Sequence, residues 1–144
     1  LDMNMIMGYW GGGQSRVYHH TAPVNMIYGL YQALYNIFEE GVDKVFARHM
    51  DAHHRLIAGI EELGWELLVE DERYRLPVVN AVKIPAGVDA AAFRSKLLND
   101  YRIEVGGGYG SLDGKVIRIG LMGYNAPPYN VDRLLAAMKE IIAG

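Results

Sequence analysis

A polar group stands directly before a predicted helix near the start of the chain. Residues 18–21 read Tyr-His-His-Thr and are followed by a proline and an apolar repeat. A helix N-terminus presents unpaired backbone N–H groups and the positive end of the helix dipole, and both attract anions. The group is therefore a candidate phosphate site. Local spacing leaves an alternative open, in which Thr21 only caps the helix and its neighbours are surface polar residues.

A second candidate is an arginine within a predicted strand at residues 115–121. Side chains alternate along a strand, so Ile117 and Ile119 share one face and Arg118 lies on the other. The planar guanidinium group of arginine can bind a carboxylate through two parallel hydrogen bonds. The alternative is an ordinary arginine on the solvated face of an antiparallel sheet.

Two histidines in a predicted helix have a spacing that zinc sites use. His49 and His53 are four residues apart, so their imidazoles share one helix face. Both lie on the apolar stripe between Phe46 and Leu56, however, and the sequence suggests no third ligand and contains no cysteine. We therefore expect packed or interfacial histidines and no metal site.

Composition restricts the classes of protein that this chain can represent. The 144 residues are 51% hydrophobic and 22% charged, which is typical of one globular domain and excludes an intrinsically disordered chain. A net charge of −3 without a basic cluster argues against nucleic acid or an anionic membrane surface as the partner. No apolar run reaches the roughly 18 residues of a membrane span. We expect a cytoplasmic protein.

The elements that must position these side chains follow from the hydrophobic periodicity. Helical spacing predicts helices over residues 23–40 and 42–63 that meet at Gly41, a third from residue 90 capped by Asp89, and a fourth capped by Asn130. Short runs rich in β-branched residues predict strands over 65–69, 78–84, 102–105 and 115–121. The order α-α-β-β-α-β-β-α predicts an α+β two-layer sandwich, in which helices cover one face of an antiparallel or mixed sheet of about four strands.

Three segments together resemble one enzyme family. The Tyr-His-His-Thr-Ala-Pro-Val-Asn-Met string of residues 18–26 resembles the class V aminotransferases, and within them the alanine–glyoxylate and serine–glyoxylate (or pyruvate) enzymes. The Ile-Glu-Val-Gly-Gly-Gly string at 103–108 resembles the glycine-rich turn of the family. The strand and turn at 115–126 resemble a third family segment in the same order. The resemblance covers nearly the whole chain but only the C-terminal portion of such an enzyme.

The resemblance implies a cofactor, a set of ligands and partners. These enzymes carry pyridoxal 5'-phosphate as a Schiff base on a lysine. By position in the family motif, Tyr18 and Thr21 are implied to bind the cofactor phosphate across a homodimer, and Arg118 to bind the α-carboxylate of the substrate. The implied substrates are small amino acids and 2-oxo acids, with an amino group passing from alanine or serine to glyoxylate or pyruvate.

The same resemblance implies that the chain is one part of an enzyme. It assigns residues 1–22 to the end of the large cofactor domain and its connecting loop, and residues 23–144 to the small C-terminal domain. None of the five lysines matches the Schiff-base lysine, so we expect the chain alone to be inactive. They are Lys44, Lys83, Lys96, Lys115 and Lys139. Two alternatives remain open: a fragment of a ureidoglycine–glyoxylate aminotransferase, and a free-standing, non-catalytic α+β domain that binds a ligand or a partner.

Overall fold

The computed structural model describes residues 2–9 and 20–144. The chain divides into two compact units, residues 1–41 and 42–144. The domain boundary predicted after residue 22 rests on the family resemblance and stays a prediction. In chain order, the helices and strands are α1 (Met3–Met7), α2 (Val24–Glu40), α3 (Val42–Glu62), β1 (Val79–Lys83), α4 (Ala90–Tyr101), β2 (Gly106–Gly107), β3 (Val116–Gly120) and α5 (Pro128–Ala143).

The first unit consists of α1 and the longer α2. The bounds of α2 agree with the predicted helix to within one residue. This helix ends at Gly41, whose φ of 92° lies in a region that residues with a side chain rarely adopt. None of its residues is buried, and large apolar side chains such as Ile27, Leu30 and Leu34 remain exposed. Across all described residues, no helix has the length and apolar character needed to span a bilayer.

The second unit contains an antiparallel sheet with the strand order β1-β3-β2. In its register, Ala81 of β1 and Gly106 of β2 both face Arg118 of the central strand. Residues on the opposite face, including Val82, Ile117 and Ile119, are buried. The sheet is therefore covered by helices on one side, as the α+β prediction requires.

Three helices cover this face and complete the core. The buried residues come from all three, and they form one cluster with the buried side chains of the sheet. From the helices, these residues are Ala52, Leu56, Ile60, Phe93, Leu97, Val131, Leu134, Ala137 and Met138. On the surface, the guanidinium of Arg55 forms two hydrogen bonds with the carboxylate of Asp132, joining α3 to α5.

The sheet has three strands, whereas the sequence predicts about four. The predicted strand at 65–69 reaches β1 only through an isolated bridge between Leu67 and Val82. Two backbone hydrogen bonds flank it, from Leu68 N–H to Ala81 O at 2.9 Å and from Lys83 N–H to Glu66 O at 2.7 Å. The segment thus lies along the edge of β1 without forming a regular strand.

The predicted strand at 102–105 is displaced to residues 106–107. Arg102 closes α4 in the left-handed conformation, with φ 58° and ψ 38°. The N–H of Ile103 then donates to the Leu97 carbonyl at 3.0 Å. Because these backbone groups terminate the helix, they are not available to a sheet ladder.

The predicted helix caps have mixed outcomes. Asp89 caps α4, and its carboxylate accepts hydrogen bonds from two first-turn N–H groups at 2.8 and 3.0 Å. The prediction for Asn130 is wrong, since α5 begins at Pro128 and not at residue 131, and proline's fixed φ suits a first helical turn. Thr21 is not a cap either, because α2 begins at Val24 with Pro23 at the capping position.

Candidate functional site

Arg118 lies at the centre of β3, on the sheet face that the helices leave uncovered. Its side chain is exposed, and its neighbours on this face across the sheet are the small residues Ala81 and Gly106. The Nε–H group of Arg118 donates to the carbonyl oxygen of Gly107 at 2.7 Å. One nitrogen of the guanidinium is thus fixed against the neighbouring strand.

The glycines of β2 allow the guanidinium to lie close to the backbone. A Cβ atom at Gly106 would stand 3.3 Å from Nη2 and 3.4 Å from Nε of Arg118, which is tighter than most real contacts of a Cβ atom. A Cβ atom at Gly108 would collide with the backbone carbonyl oxygen of Leu112 at 1.9 Å. The glycine-rich string therefore has little room for a side chain at two of its positions, Gly106 and Gly108.

The outer nitrogens of Arg118 remain available for a ligand. Among the described residues, no aspartate or glutamate forms an ion pair with Arg118. A guanidinium that is held by Nε and leaves both Nη groups to solvent offers a pair of parallel N–H donors. This arrangement suits a carboxylate, which accepts two such bonds in one plane.

The first unit holds the other predicted site residues. Tyr18 and His19 lie outside the described residues, so the predicted role of Tyr18 stays a prediction. Thr21 is exposed, in the segment immediately before α2. The structure assigns it and Arg118 to different compact units.

A tyrosine that the sequence did not single out fixes the start of this segment. The hydroxyl of Tyr9 donates to the carbonyl oxygen of His20 at 2.8 Å and accepts from the N–H of the same residue at 2.7 Å. The two rings also meet edge to face, with their centroids 5.9 Å apart. Both backbone groups of His20, the residue before Thr21, are therefore bound by a single side chain.

Known proteins resemble this chain over nearly its whole length. The alanine–glyoxylate aminotransferase of Drosophila melanogaster is 42% identical over 143 residues, which are 99% of this chain and 36% of that protein. The (S)-ureidoglycine–glyoxylate transaminase of Bacillus subtilis is 36% identical over 142 residues, 99% of this chain and 33% of the relative. The crystal structure of alanine–glyoxylate aminotransferase from Nostoc sp. superimposes with a TM-score of 0.86 at 45% identity, covering 98% of this chain and 37% of that one.

The chain is homologous to the C-terminal portion of the class V aminotransferases. It spans about a third of the length of these relatives. The match of fold and sequence confirms the predicted family and gives no support to the alternative of an unrelated free-standing domain. No family model matches the chain.

The segment before α2 has donors that fit the cofactor phosphate of an aminotransferase. The Pro23 cap of α2 contributes no side-chain hydrogen bond to the first-turn N–H groups, and that turn contains no acidic residue. The N-terminus of α2, three residues after Thr21, therefore presents first-turn N–H groups and the positive dipole end without an acidic residue in that turn. These donors fit a phosphate.

The structure describes all five lysines of the chain and places one of them, Lys83, between two glutamates. Lys83 lies on β1 and forms ion pairs with Glu66 at 3.1 Å and with Glu70 at 3.3 Å. The hydrogen bonds to Glu66 and Glu70 raise the pKa of Lys83 above its ordinary value, which favours the protonated amine. Lys44, Lys96 and Lys139 lie on exposed positions of α3, α4 and α5.

The two histidines considered as zinc ligands form hydrogen bonds within the fold. His53 is buried, and its Nδ1–H donates to the side-chain oxygen of Asn80 on β1 at 2.8 Å. His49 donates through Nδ1 to the Val45 carbonyl at 2.6 Å, while its Nε2 accepts from the N–H of Gly123 at 3.1 Å. The described part of the chain contains no group of three side chains that could hold a metal ion.

Two features of the site were missed by the sequence. Arg94 on α4 contacts the backbone of the glycine-rich string, and Tyr9 binds His20. An arginine in a solvated helix and an aromatic residue before a glycine-rich loop are common, so neither type nor spacing distinguished them. A count of cationic side chains on elements adjacent to the glycine-rich string would have drawn attention to Arg94.

Proposed function

We propose that this chain forms the C-terminal part of a pyridoxal-phosphate-dependent aminotransferase that moves an amino group from alanine or serine to glyoxylate or pyruvate. The observation that carries the proposal is the setting of Arg118, whose guanidinium is fixed by Gly107 and keeps its outer nitrogens exposed. The relatives named as alanine–glyoxylate aminotransferases support the choice of substrates.

In this proposal, Arg118 binds the α-carboxylate that every amino acid and 2-oxo acid substrate carries. The Nη groups donate two parallel hydrogen bonds to it, and the fixed Nε sets the plane of the pair. Anchoring the carboxylate fixes the position of the neighbouring α-carbon, at which the amino group is exchanged. The same side chain therefore serves both the donor and the acceptor.

The proposed cofactor is pyridoxal 5'-phosphate, which when bound supplies an electron sink for the bonds at the α-carbon. Tyr18 and Thr21 would donate hydrogen bonds to its phosphate, and the uncapped N-terminus of α2 would favour the negative charge. We propose that they do so across a homodimer. The exposed apolar side chains of α2 support a further contact at this part of the chain.

The 144-residue chain is proposed to have no transaminase activity of its own. None of its lysines matches the Schiff-base lysine of the family, and the one on the sheet is held protonated by two glutamates. A cytoplasmic location also stays a prediction from the sequence.

A second set of substrates is favoured by one observation. The Bacillus subtilis relative, at 36% identity, is named as a ureidoglycine–glyoxylate transaminase, and its crystal structure superimposes with a TM-score of 0.85. Ureidoglycine is also an α-amino acid derivative with a carboxylate, so Arg118 would bind it in the same manner.

A donor panel on the complete enzyme tests the proposal and separates the two sets. Alanine, serine and ureidoglycine are each assayed with glyoxylate, and the values of kcat/KM are compared. A preference for alanine or serine supports the proposal, whereas a preference for ureidoglycine supports the second set. Absence of transamination with every donor, in a cofactor-loaded enzyme, contradicts both.

A further inference from the structure

A second arginine contacts the backbone that holds Arg118. Arg94 lies on α4, is partly buried, and donates from Nε to the carbonyl oxygen of Val105 at 3.1 Å. A Cβ atom at Gly107 would stand 2.7 Å from Nη1 and 3.3 Å from Cζ of Arg94. The guanidinium of Arg94 therefore packs directly against the short strand β2.

The two arginines approach this strand from opposite sides. Gly106 and Arg118 are register partners, and a Cβ atom at Gly106 would meet the guanidinium of Arg118. The next residue, Gly107, would direct its Cβ atom to Arg94, because successive residues of a strand face opposite sides. Its carbonyl oxygen nevertheless accepts the hydrogen bond of Arg118. The segment 105–107 is therefore bound by one guanidinium on each face.

The guanidinium groups of Arg94 and Arg118 share the absence of an acidic partner among the described residues. Within residues 2–9 and 20–144, no carboxylate forms an ion pair with Arg94 or with Arg118. The packing of Arg94 against β2 is therefore not explained by a salt bridge. Its specific hydrogen bond is the one to Val105, one residue before β2.

We propose that Arg94 is a positioning residue for Arg118. It holds the Val105 carbonyl, and so fixes the Gly107 carbonyl at the place where it meets Nε of Arg118. Without this support, residues 105–107 and the guanidinium of Arg118 move together. The Nη–H groups that donate to the substrate carboxylate then lose their fixed plane, and substrate binding weakens because the donors are no longer preorganised. The consequence for substrate binding rests on the proposed function of Arg118.

Two substitutions separate a positioning role from a role of charge or packing. In glutamine, Nε2 stands the same number of bonds from the backbone as Nε of arginine, so Arg94→Gln keeps a donor for Val105 and removes the charge. Arg94→Met has similar length and no donor. Arg94→Ala is a second donor-free variant should the methionine disturb folding, and Lys96→Met on the same helix is the control for loss of one positive charge.

The first measurement needs no substrate and uses the 144-residue chain. Nitrogen-15 NMR detects the Nε–H group of Arg118, assigned by its loss in Arg118→Lys, and a hydrogen-bonded proton exchanges slowly with water. We expect Arg94→Met and Arg94→Ala to raise its exchange rate and Arg94→Gln and Lys96→Met to leave it near that of the unsubstituted chain. An unchanged rate in the donor-free variants would overturn the proposal.

The second measurement compares KM with kcat in the complete enzyme. The donor-free variants should raise KM for both amino and 2-oxo acids roughly two- to tenfold, the factor that corresponds to one hydrogen bond, with kcat changing less. Arg94→Gln should restore KM. Equal effects of Arg94→Gln and Arg94→Met on KM would contradict the positioning role and would show that Arg94 acts only through its positive charge. If KM is insensitive even to Arg118→Ala, the proposed function fails, while the exchange rates still decide the role of Arg94.

Discussion

The Nε–H group of Arg118 donates a hydrogen bond to the carbonyl oxygen of Gly107 at 2.7 Å, across two antiparallel strands. This bond uses the inner nitrogen of the guanidinium and leaves the outer pair for a ligand. It depends on the missing side chain of Gly106, because a Cβ atom there would lie 3.3 Å from Nη2. Glycines in β2 and an arginine in β3 thus form one structural device, which we propose binds a carboxylate.

The cap of α4 provides a test of the fold beneath this device. In Asp89→Ala, two first-turn N–H groups lose their acceptor, so we expect the free energy of unfolding to fall by about 1 kcal/mol. Urea denaturation of the chain measures the change. Asp100→Ala, in the last turn of the same helix, should cost nothing, since an acidic residue there opposes the helix dipole. Equal losses in both variants would exclude a capping role for Asp89.

We expect the free energy of unfolding to decrease at acidic pH because of one buried histidine, His53. Burial lowers the pKa of His53 below its ordinary value, the hydrogen bond to Asn80 opposes this, and the charges of His54 and Arg75 lower the pKa further. The unfolded chain, with a histidine pKa near 6.5, therefore binds the proton more readily than the folded chain. The contribution of neutral His53 to the free energy of unfolding is therefore complete above the unfolded-state pKa. It is lost as the pH falls from that value through the pKa of His53 in the folded chain.

Urea unfolding at a series of pH values measures this loss. His53→Gln cannot titrate, so the decrease in unfolding free energy below about pH 6.5 should be smaller in this variant. The exposed neighbour serves as control, and His54→Gln should retain most of the decrease. An identical pH dependence in His53→Gln and the unsubstituted chain would show that His53 is not the responsible group.

The four helices α2 to α5 and the outward position of Arg118 could be predicted from the sequence, whereas the short helix α1 was not predicted. Apolar periodicity and Gly41 determine the bounds of α2 and α3, and strict alternation determines the faces of β3. The strand predicted at 102–105 could not be located correctly, because the capping of α4 consumes its backbone groups. That capping depends on a left-handed Arg102, a conformation that residue type does not indicate.

The hydrogen bonds that hold the site residues in place could not be predicted from the sequence, for a different reason. The bonds from Arg118 to Gly107 and from Arg94 to Val105 depend on the packing of α4 against β2 and on the register of two strands. Hydrophobic patterns specify which face is buried but not which carbonyl faces which guanidinium. The pair Tyr9 and His20 is likewise separated by a glycine-rich segment without periodicity.

Cofactor retention tests the segment before α2. In the complete enzyme, Tyr18→Phe and Thr21→Val each remove one proposed donor to the phosphate, so the dissociation constant of pyridoxal phosphate should rise by the equivalent of roughly 1.5–3 kcal/mol. Thr21→Ser keeps the hydroxyl and should retain the cofactor. Mixed dimers with one substituted subunit test whether the bond crosses the interface. Unchanged cofactor affinity in both donor-free variants would remove these residues from the site.

The isolated chain tests the proposed lack of activity. When it is mixed with pyridoxal phosphate, we expect neither the absorbance band of a protein Schiff base nor transamination of alanine or serine with glyoxylate. The reason is that no lysine of the chain matches the family's Schiff-base lysine. The complete enzyme at equal concentration is the positive control, and activity in a preparation of the chain free of it would contradict the proposal.

Steady-state kinetics of Arg118 variants in the complete enzyme test the central claim most directly. Arg118→Lys keeps the charge and loses the fork, and should raise KM for both the amino acid and the 2-oxo acid while the spectrum of the bound cofactor stays unchanged. Arg118→Ala should lower kcat/KM by a factor equivalent to roughly 2–5 kcal/mol. The effect should lie mainly in KM, because the carboxylate is bound alike in substrate and transition state. Wild-type KM for both substrates in a folded, dimeric Arg118→Ala enzyme would contradict the account and leave Arg118 as an ordinary surface residue.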